Sequence, residues 1–112
     1  AVIAEKFEAM VKLGLANSRL KDYYDVWALL ATRTLDQERL AAAISATFER
    51  RGTALPMATP DGLTAAFAMN HTRQAQWLAF IRNVEGDAPP LITVVAELEK
   101  WLMPVIGRLV PR

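Results

Sequence analysis

Apolar residues recur every three or four positions along nearly the whole chain, and few windows keep the alternation of a half-buried strand. The pattern predicts an all-α fold, five to six helices in a compact bundle-like array with no sheet. From Val2 to about Leu13 the stripe is Ile3, Phe7, Met10, Val11 and Leu13, and Gly14 offers a stop. Asn17 and Ser18 suit the N-cap of a second helix, running to about Arg33, with Tyr23, Val26, Trp27 and Leu30 inward. Asp36 caps a third helix whose inner face is Leu40, Ile44, Thr47 and Phe48. Glu38 fits its first turn, Arg50 and Arg51 its negative end, and Gly52 its stop.

The longest loop spans residues 52–59, and Thr59-Pro60 reads as a cap and first helical residue opening a short helix through Phe67 and Met69. A further helix runs from Asn70 to about Val84 with Trp77, Phe80 and Ile81 on one side, and Glu85 to Pro90 breaks it. The last helix starts near Leu91. Ile92, Val94, Val95, Leu98, Trp101, Leu102 and Val105 surround most of its axis, which predicts the central, most buried element. Pro104 inside that pattern predicts a kink or short break about one turn earlier, with helix resuming to Leu109.

At 112 residues, 53% of them apolar or aromatic, the chain has the size and composition of a single helical domain with one core. Thirteen basic and twelve acidic side chains give a net charge of +1, which removes bulk electrostatics as the basis for binding nucleic acid or an anionic membrane. The absence of cysteine excludes a disulfide scaffold, a thiolate metal site and a cysteine nucleophile, and fits a reducing compartment; a single histidine excludes a histidine cluster. No apolar run is long enough to span a membrane. The opening Ala-Val-Ile-Ala-Glu-Lys reads as the middle of a helix, which points to a cut in a longer chain.

Ionisable side chains are densest in Arg19-Leu20-Lys21-Asp22-Tyr23-Tyr24-Asp25. Asp22 and Asp25 share a helical face, a spacing able to hold a cation or support a base. The same spacing also allows plain local pairing of Arg19 with Asp22 and of Lys21 with Asp25. Lys6 lies on the face of Met10 and Ile3, either as a stem snorkelling to water or as a phosphate-binding ammonium. His71, beside the capping residues Asn70 and Thr72, reads as capping or exposed. Trp27, Trp77 and Trp101 fit a core better than a base-stacking platform. The five glycines are scattered singly, so no phosphate-binding loop is present.

The stretch Ala4-Glu5-Lys6-Phe7-Glu8-Ala9-Met10-Val11, then Leu13-Gly14, then Asn17 to Asp25 closely resembles the C-terminal half of the AbiEii/AbiGii toxin family of nucleotidyltransferase-like proteins. In that family a helix of the form EKxxA precedes R-x-K-D-[FY]-x-D. The likeness continues in Ala46 to Thr53 and in Gln74-Ala75-Gln76-Trp77. The resemblance implies that these residues are the helical C-terminal portion of a larger protein, packed in cis against an N-terminal nucleotidyltransferase core. That core would carry a Gly-Ser motif and an Asp-x-Asp metal motif, neither of which occurs here. It further implies Lys6, Asp22 and Asp25 as catalytic residues and Lys6, Arg19 and Lys21 as nucleotide-binding residues.

For the full-length protein the resemblance implies Mg2+, a nucleoside triphosphate and an acceptor that is left open between an RNA, a protein and a small molecule, with no metal held by this portion, which would be inactive alone. The setting it implies is bacterial and cytoplasmic, in toxin–antitoxin or phage-defence biology, with no membrane partner. A surface once covered by a core would be apolar and would drive the isolated portion to form a homodimer. The alternative is a helical protein-interaction module without chemistry.

Overall fold

The all-helical pattern is realised in the computed structural model, which describes residues 2–32, 34–84, 86 and 88–110. Among the described residues there are six α-helices and no strand: α1 (Val2–Leu13), α2 (Leu20–Thr32), α3 (Gln37–Arg51), α4 (Ala65–Ala68), α5 (His71–Ile81) and α6 (Leu91–Gly107). Short 3-10 turns occupy Gly14–Ala16 and Asp61–Leu63. The expected end of α2 at Arg33, and Glu85 at the start of the break after α5, lie outside the described residues.

Local chemistry sets most of the helix ends. The Asp36 carboxylate accepts hydrogen bonds from the backbone N–H groups of Glu38 and Arg39 at 2.9 and 3.3 Å, and Asn70 caps α5 by accepting from Arg73 N–H at 2.9 Å. His71 follows that cap as an exposed residue. Helix α3 stops at Gly52, whose φ of 67° is a left-handed geometry that side chains resist, and the reversal returns Thr53 toward α1. Helix α5 ends at Ile81, earlier than its apolar pattern predicts, with residues 82–84 in a turn.

Three expectations are corrected. Thr59 does not cap a helix. Its hydroxyl donates to Glu99 at 3.4 Å, a 3-10 turn follows Pro60, and Thr64 caps α4 by accepting from Phe67 N–H. The turn is needed because Gly62 presses on two neighbours: a Cβ there would lie 2.8 Å from both the Met10 carbonyl oxygen and Tyr23 Oη. Tyr23 Oη donates to the Gly62 carbonyl at 2.8 Å, and burial pushes the Tyr23 hydroxyl well above its ordinary range, so it stays a donor. Gly62→Ala is therefore expected to destabilise the fold by about 1–3 kcal/mol through overpacking, read from the denaturant midpoint.

The second correction concerns α6, which supplies seven buried residues, more than any other described helix and as expected, but whose apolar face does not cover most of its circumference. Ile92, Ala96, Lys100, Pro104 and Gly107 follow the helical repeat along one exposed face. Helix α1 shares the centre, with six of its twelve residues buried. The third is the short break expected near Pro104, which is absent: α6 runs through Pro104 and ends at Gly107 rather than resuming to Leu109. Pro104 lies on the exposed face of α6, so the backbone hydrogen bond it cannot donate is lost on the solvent side of the helix.

The core orders three helices around the future site. Val2 and Ile3 share a groove with Leu29 while Lys6 meets Asp22 and Asp25, so α1 and α2 run antiparallel. Val2 also sits by Leu40, Phe7 packs on Phe48 at 5.7 Å between ring centroids, and Glu8 meets Arg51, so α1 and α3 run parallel. Helix α6 backs them, with Trp27 Nε1 donating to Glu97 at 3.4 Å. Trp77 is buried, its Nε1 donating to the Pro89 carbonyl at 3.0 Å, while Trp27 and Trp101 are half-buried against the core.

Candidate functional site

The short link between α1 and α2 turns the start of α2 back along α1, and the acidic face of α2 meets Lys6 there. Lys6 Nζ donates to Asp22 Oδ1 at 2.7 Å and to Asp25 Oδ2 at 3.2 Å, although sixteen and nineteen residues separate the partners. Both local pairs are also present: Arg19 Nε lies 2.8 Å from Asp22 Oδ2, and Lys21 Nζ lies 2.7 Å from Asp25 Oδ2. The Arg19 contact is an ion pair at an angle too poor for a hydrogen bond, and Asp22 Oδ2 has no hydrogen-bond donor among the described residues.

The centre is less exposed than two solvent-facing helices would make it. The Asp22 side chain is 8% exposed and that of Lys6 21%, because Asp22 turns into the seam between α1 and α2. Changing either residue is therefore expected to disturb folding, unlike a surface pair. The hydrogen bond to Asp22 raises the Lys6 ammonium above its ordinary range against the opposing pull of burial, so Lys6 is a cation and not a base at neutral pH. Burial works against the Asp25 charge, but Lys21 and Lys6 outweigh it and hold Asp25 as a carboxylate.

A groove of about 270 Å³ opens beside Lys6, lined by Val2, Glu5, Lys6, Ala9, Arg19 and Arg51. Lys6 and Arg19, both implied by the family resemblance to be nucleotide-binding, thus meet at one surface, whereas Lys21 stands outside the lining and is held by Asp25. Arg51 escaped the sequence reading as a site residue. So did its anchor Glu8, which is 1% exposed and accepts from Arg51 Nη1 at 2.9 Å and from the Thr53 hydroxyl at 2.6 Å. Burial opposes ionisation of Glu8, yet those two hydrogen bonds hold its carboxyl below the ordinary range. The sequence offered little signal, because Glu8 shares its helical face with Glu5 and Lys12 and reads there as one more solvated charge.

Mg2+ does not fit this donor set. Among the described residues no three histidine or carboxylate side chains converge, and Asp22 and Asp25 are already bridged by the Lys6 ammonium.

These charges fix a pH dependence. Glu8 and Asp25, with ordinary values of 4.5 and 3.8, are lowered in the fold, so their stabilisation is complete above those values and is lost as pH falls through the lowered ones. Lys6 is raised, so its stabilisation is complete below 10.5 and is lost as pH rises through the higher folded value. Denaturant midpoints are expected to be flat between about pH 6 and 9 and to fall below about pH 4.

Fold and site together define an all-helical domain organised around a partly buried lysine–aspartate centre beside a cationic groove. The family of the nucleotidyl transferase AbiEii toxin, from type IV toxin–antitoxin systems, matches residues 1–103, and the chain belongs to that family. No curated protein and no solved structure matches it. No helix among the described residues is long and apolar enough to cross a membrane.

Proposed function

We propose that this chain is the helical portion of a nucleotidyltransferase toxin and supplies Lys6 and Asp22 to a composite active site, completed in cis by an N-terminal nucleotidyltransferase core. The observation that carries this reading is the 2.7 Å contact between Lys6 Nζ and Asp22 Oδ1 at the edge of a cationic groove. In nucleotidyl transfer an acceptor oxygen attacks the α-phosphorus, the bond to pyrophosphate breaks, and negative charge builds on the phosphate oxygens. A fixed ammonium stabilises that charge without reorganising. Lys6 has three N–H donors, two of them spent on Asp22 and Asp25, which leaves one for phosphate.

Asp22 aims that ammonium, Asp25 is its second anchor, and Arg19 adds a cation to the groove. Lys21 supports Asp25 from outside. Mg2+ in the full-length protein would take its ligands from the core, and an RNA is the acceptor we favour. The test is incubation of the full-length protein with each labelled nucleoside triphosphate, with and without RNA. Labelled RNA that disappears when the cognate antitoxin is added is the expected result, and no labelled product with any nucleotide overturns the reading.

A further inference from the structure

Arg51 is the groove residue that the lysine–aspartate centre leaves unexplained. It lies at the C-terminal end of α3, forty-three residues from its partner Glu8, yet its side chain reaches the groove lined by Lys6 and Arg19. We propose that Arg51 binds an oligophosphate group in this groove together with Lys6 and Arg19, and that Glu8 is the positioning residue that holds it there. The proposal deepens the nucleotidyltransferase reading and rests on its assignment of Lys6 to phosphate.

A surface arginine ordinarily loses considerable rotamer freedom when it binds, and a fixed partner removes much of that cost in advance. Here the partner is a carboxylate buried to 1% exposure and itself held by the Thr53 hydroxyl, in the residue that Gly52 turns back toward α1. Arg51 spends only Nη1 on Glu8 among the described residues, and its side chain remains 41% exposed. A guanidinium carries five N–H donors in a planar fork, so donors remain to face an anion. Among the described residues Glu5 is the one acidic side chain lining the groove, and it pairs with Arg50 at 3.5 Å. Each of the three lining cations is already held by a carboxylate outside the lining, Lys6 and Arg19 by Asp22 and Arg51 by Glu8, so a ligand meets their remaining N–H donors; with the small Ala9 beside them, these suit a phosphate chain better than an apolar or cationic ligand.

The test uses the full-length protein and inorganic pyrophosphate as the probe, titrated by calorimetry, beside steady-state kinetics for nucleotide. Arg51→Ala is expected to weaken pyrophosphate binding about ten- to hundred-fold, the loss of a charge-assisted hydrogen bond, and to raise KM more than it lowers kcat. Arg82→Ala, which removes an exposed cation outside the groove lining, is expected to leave both unchanged. Arg51→Gln keeps a donor for Glu8 and removes the charge; it serves if Arg51→Ala does not fold, and it too is expected to lose pyrophosphate. Glu8→Gln is expected to weaken binding less than Arg51→Ala does.

A purely structural Arg51 would lower the melting temperature of Arg51→Ala and leave pyrophosphate affinity of the folded variants unchanged; that result overturns the proposal. If wild type transfers no nucleotide while pyrophosphate binding still depends on Arg51, the enzymatic reading fails and the oligophosphate site stands. Transfer by wild type with Arg51-independent binding gives the reverse outcome.

Discussion

Lys6→Met in the full-length protein is expected to lower the rate of nucleotide transfer by at least about 100-fold, the usual loss when a fixed stabiliser of developing charge is removed. Methionine keeps an unbranched stem of similar length on α1, so the packing beside Met10 and Ile3 survives while the charge does not. The change also strips Asp22 and Asp25 of their shared donor. With side chains only 8% and 25% exposed, these carboxylates lose a charge-assisted hydrogen bond each, about 1.5–3 kcal/mol for the better of the two.

Asp22→Asn separates the roles. It leaves Lys6 charged and still bonded to Asp25, so transfer is expected to fall less than for Lys6→Met, with the smaller part of the loss in nucleotide KM. Initial rates at saturating and limiting nucleotide, paired with thermal melts, check both variants. Transfer by Lys6→Met at the wild-type rate would remove Lys6 from the chemistry.

Phe7→Ala is expected to cost about 3–5 kcal/mol, the largest loss of stability among the changes considered, because it empties a fully buried aromatic site. For a domain of this size that lowers the melting temperature by roughly 12 °C or more. Phe7 packs against Phe48 of α3, in the seam where Glu8 meets Arg51, and it adjoins Lys6 in sequence. The cavity therefore loosens the joint that sets Lys6 opposite Arg51. Phe7→Leu, which refills much of the volume, is expected to recover most of the stability, and calorimetric melting of the two variants provides the comparison.

Features encoded within one turn of chain were the legible ones. Asp36 and Asn70 cap helices as their positions before apolar stripes require, and Gly52 stops α3. Arg19 with Asp22 and Lys21 with Asp25 are helical neighbours, so their pairing follows from spacing. The resemblance, by assigning Lys6 and Asp22 to one site, implied that they meet, and the short α1–α2 link is what brings them together. Arg51 was read only as a charge suited to a helix C-terminus, since its contact with Glu8 depends on how α3 lies along α1. Thr59 misled because Thr64, five residues later, is an equally good cap, and the close approach of Gly62 to Met10 decided between them. Helix α6 shows the same limit: periodicity counted Ile92 as core, and tertiary packing left it on the open face.

The short α1–α2 connection also shapes how the centre comes into being. Closing a loop of sixteen residues, as Lys6 and Asp22 require, costs less chain entropy than the forty-three residues between Glu8 and Arg51 or the seventy between Trp27 and Glu97. Contacts of low sequence separation can form before distant ones reward the chain, so a helical hairpin carrying the lysine–aspartate pair is a natural early folding unit. The cationic groove is completed only when α3 docks and brings Arg51. Order of assembly thus separates the two halves of the site: the hairpin carries the ammonium and its anchors, and the remainder of the domain supplies the third cation.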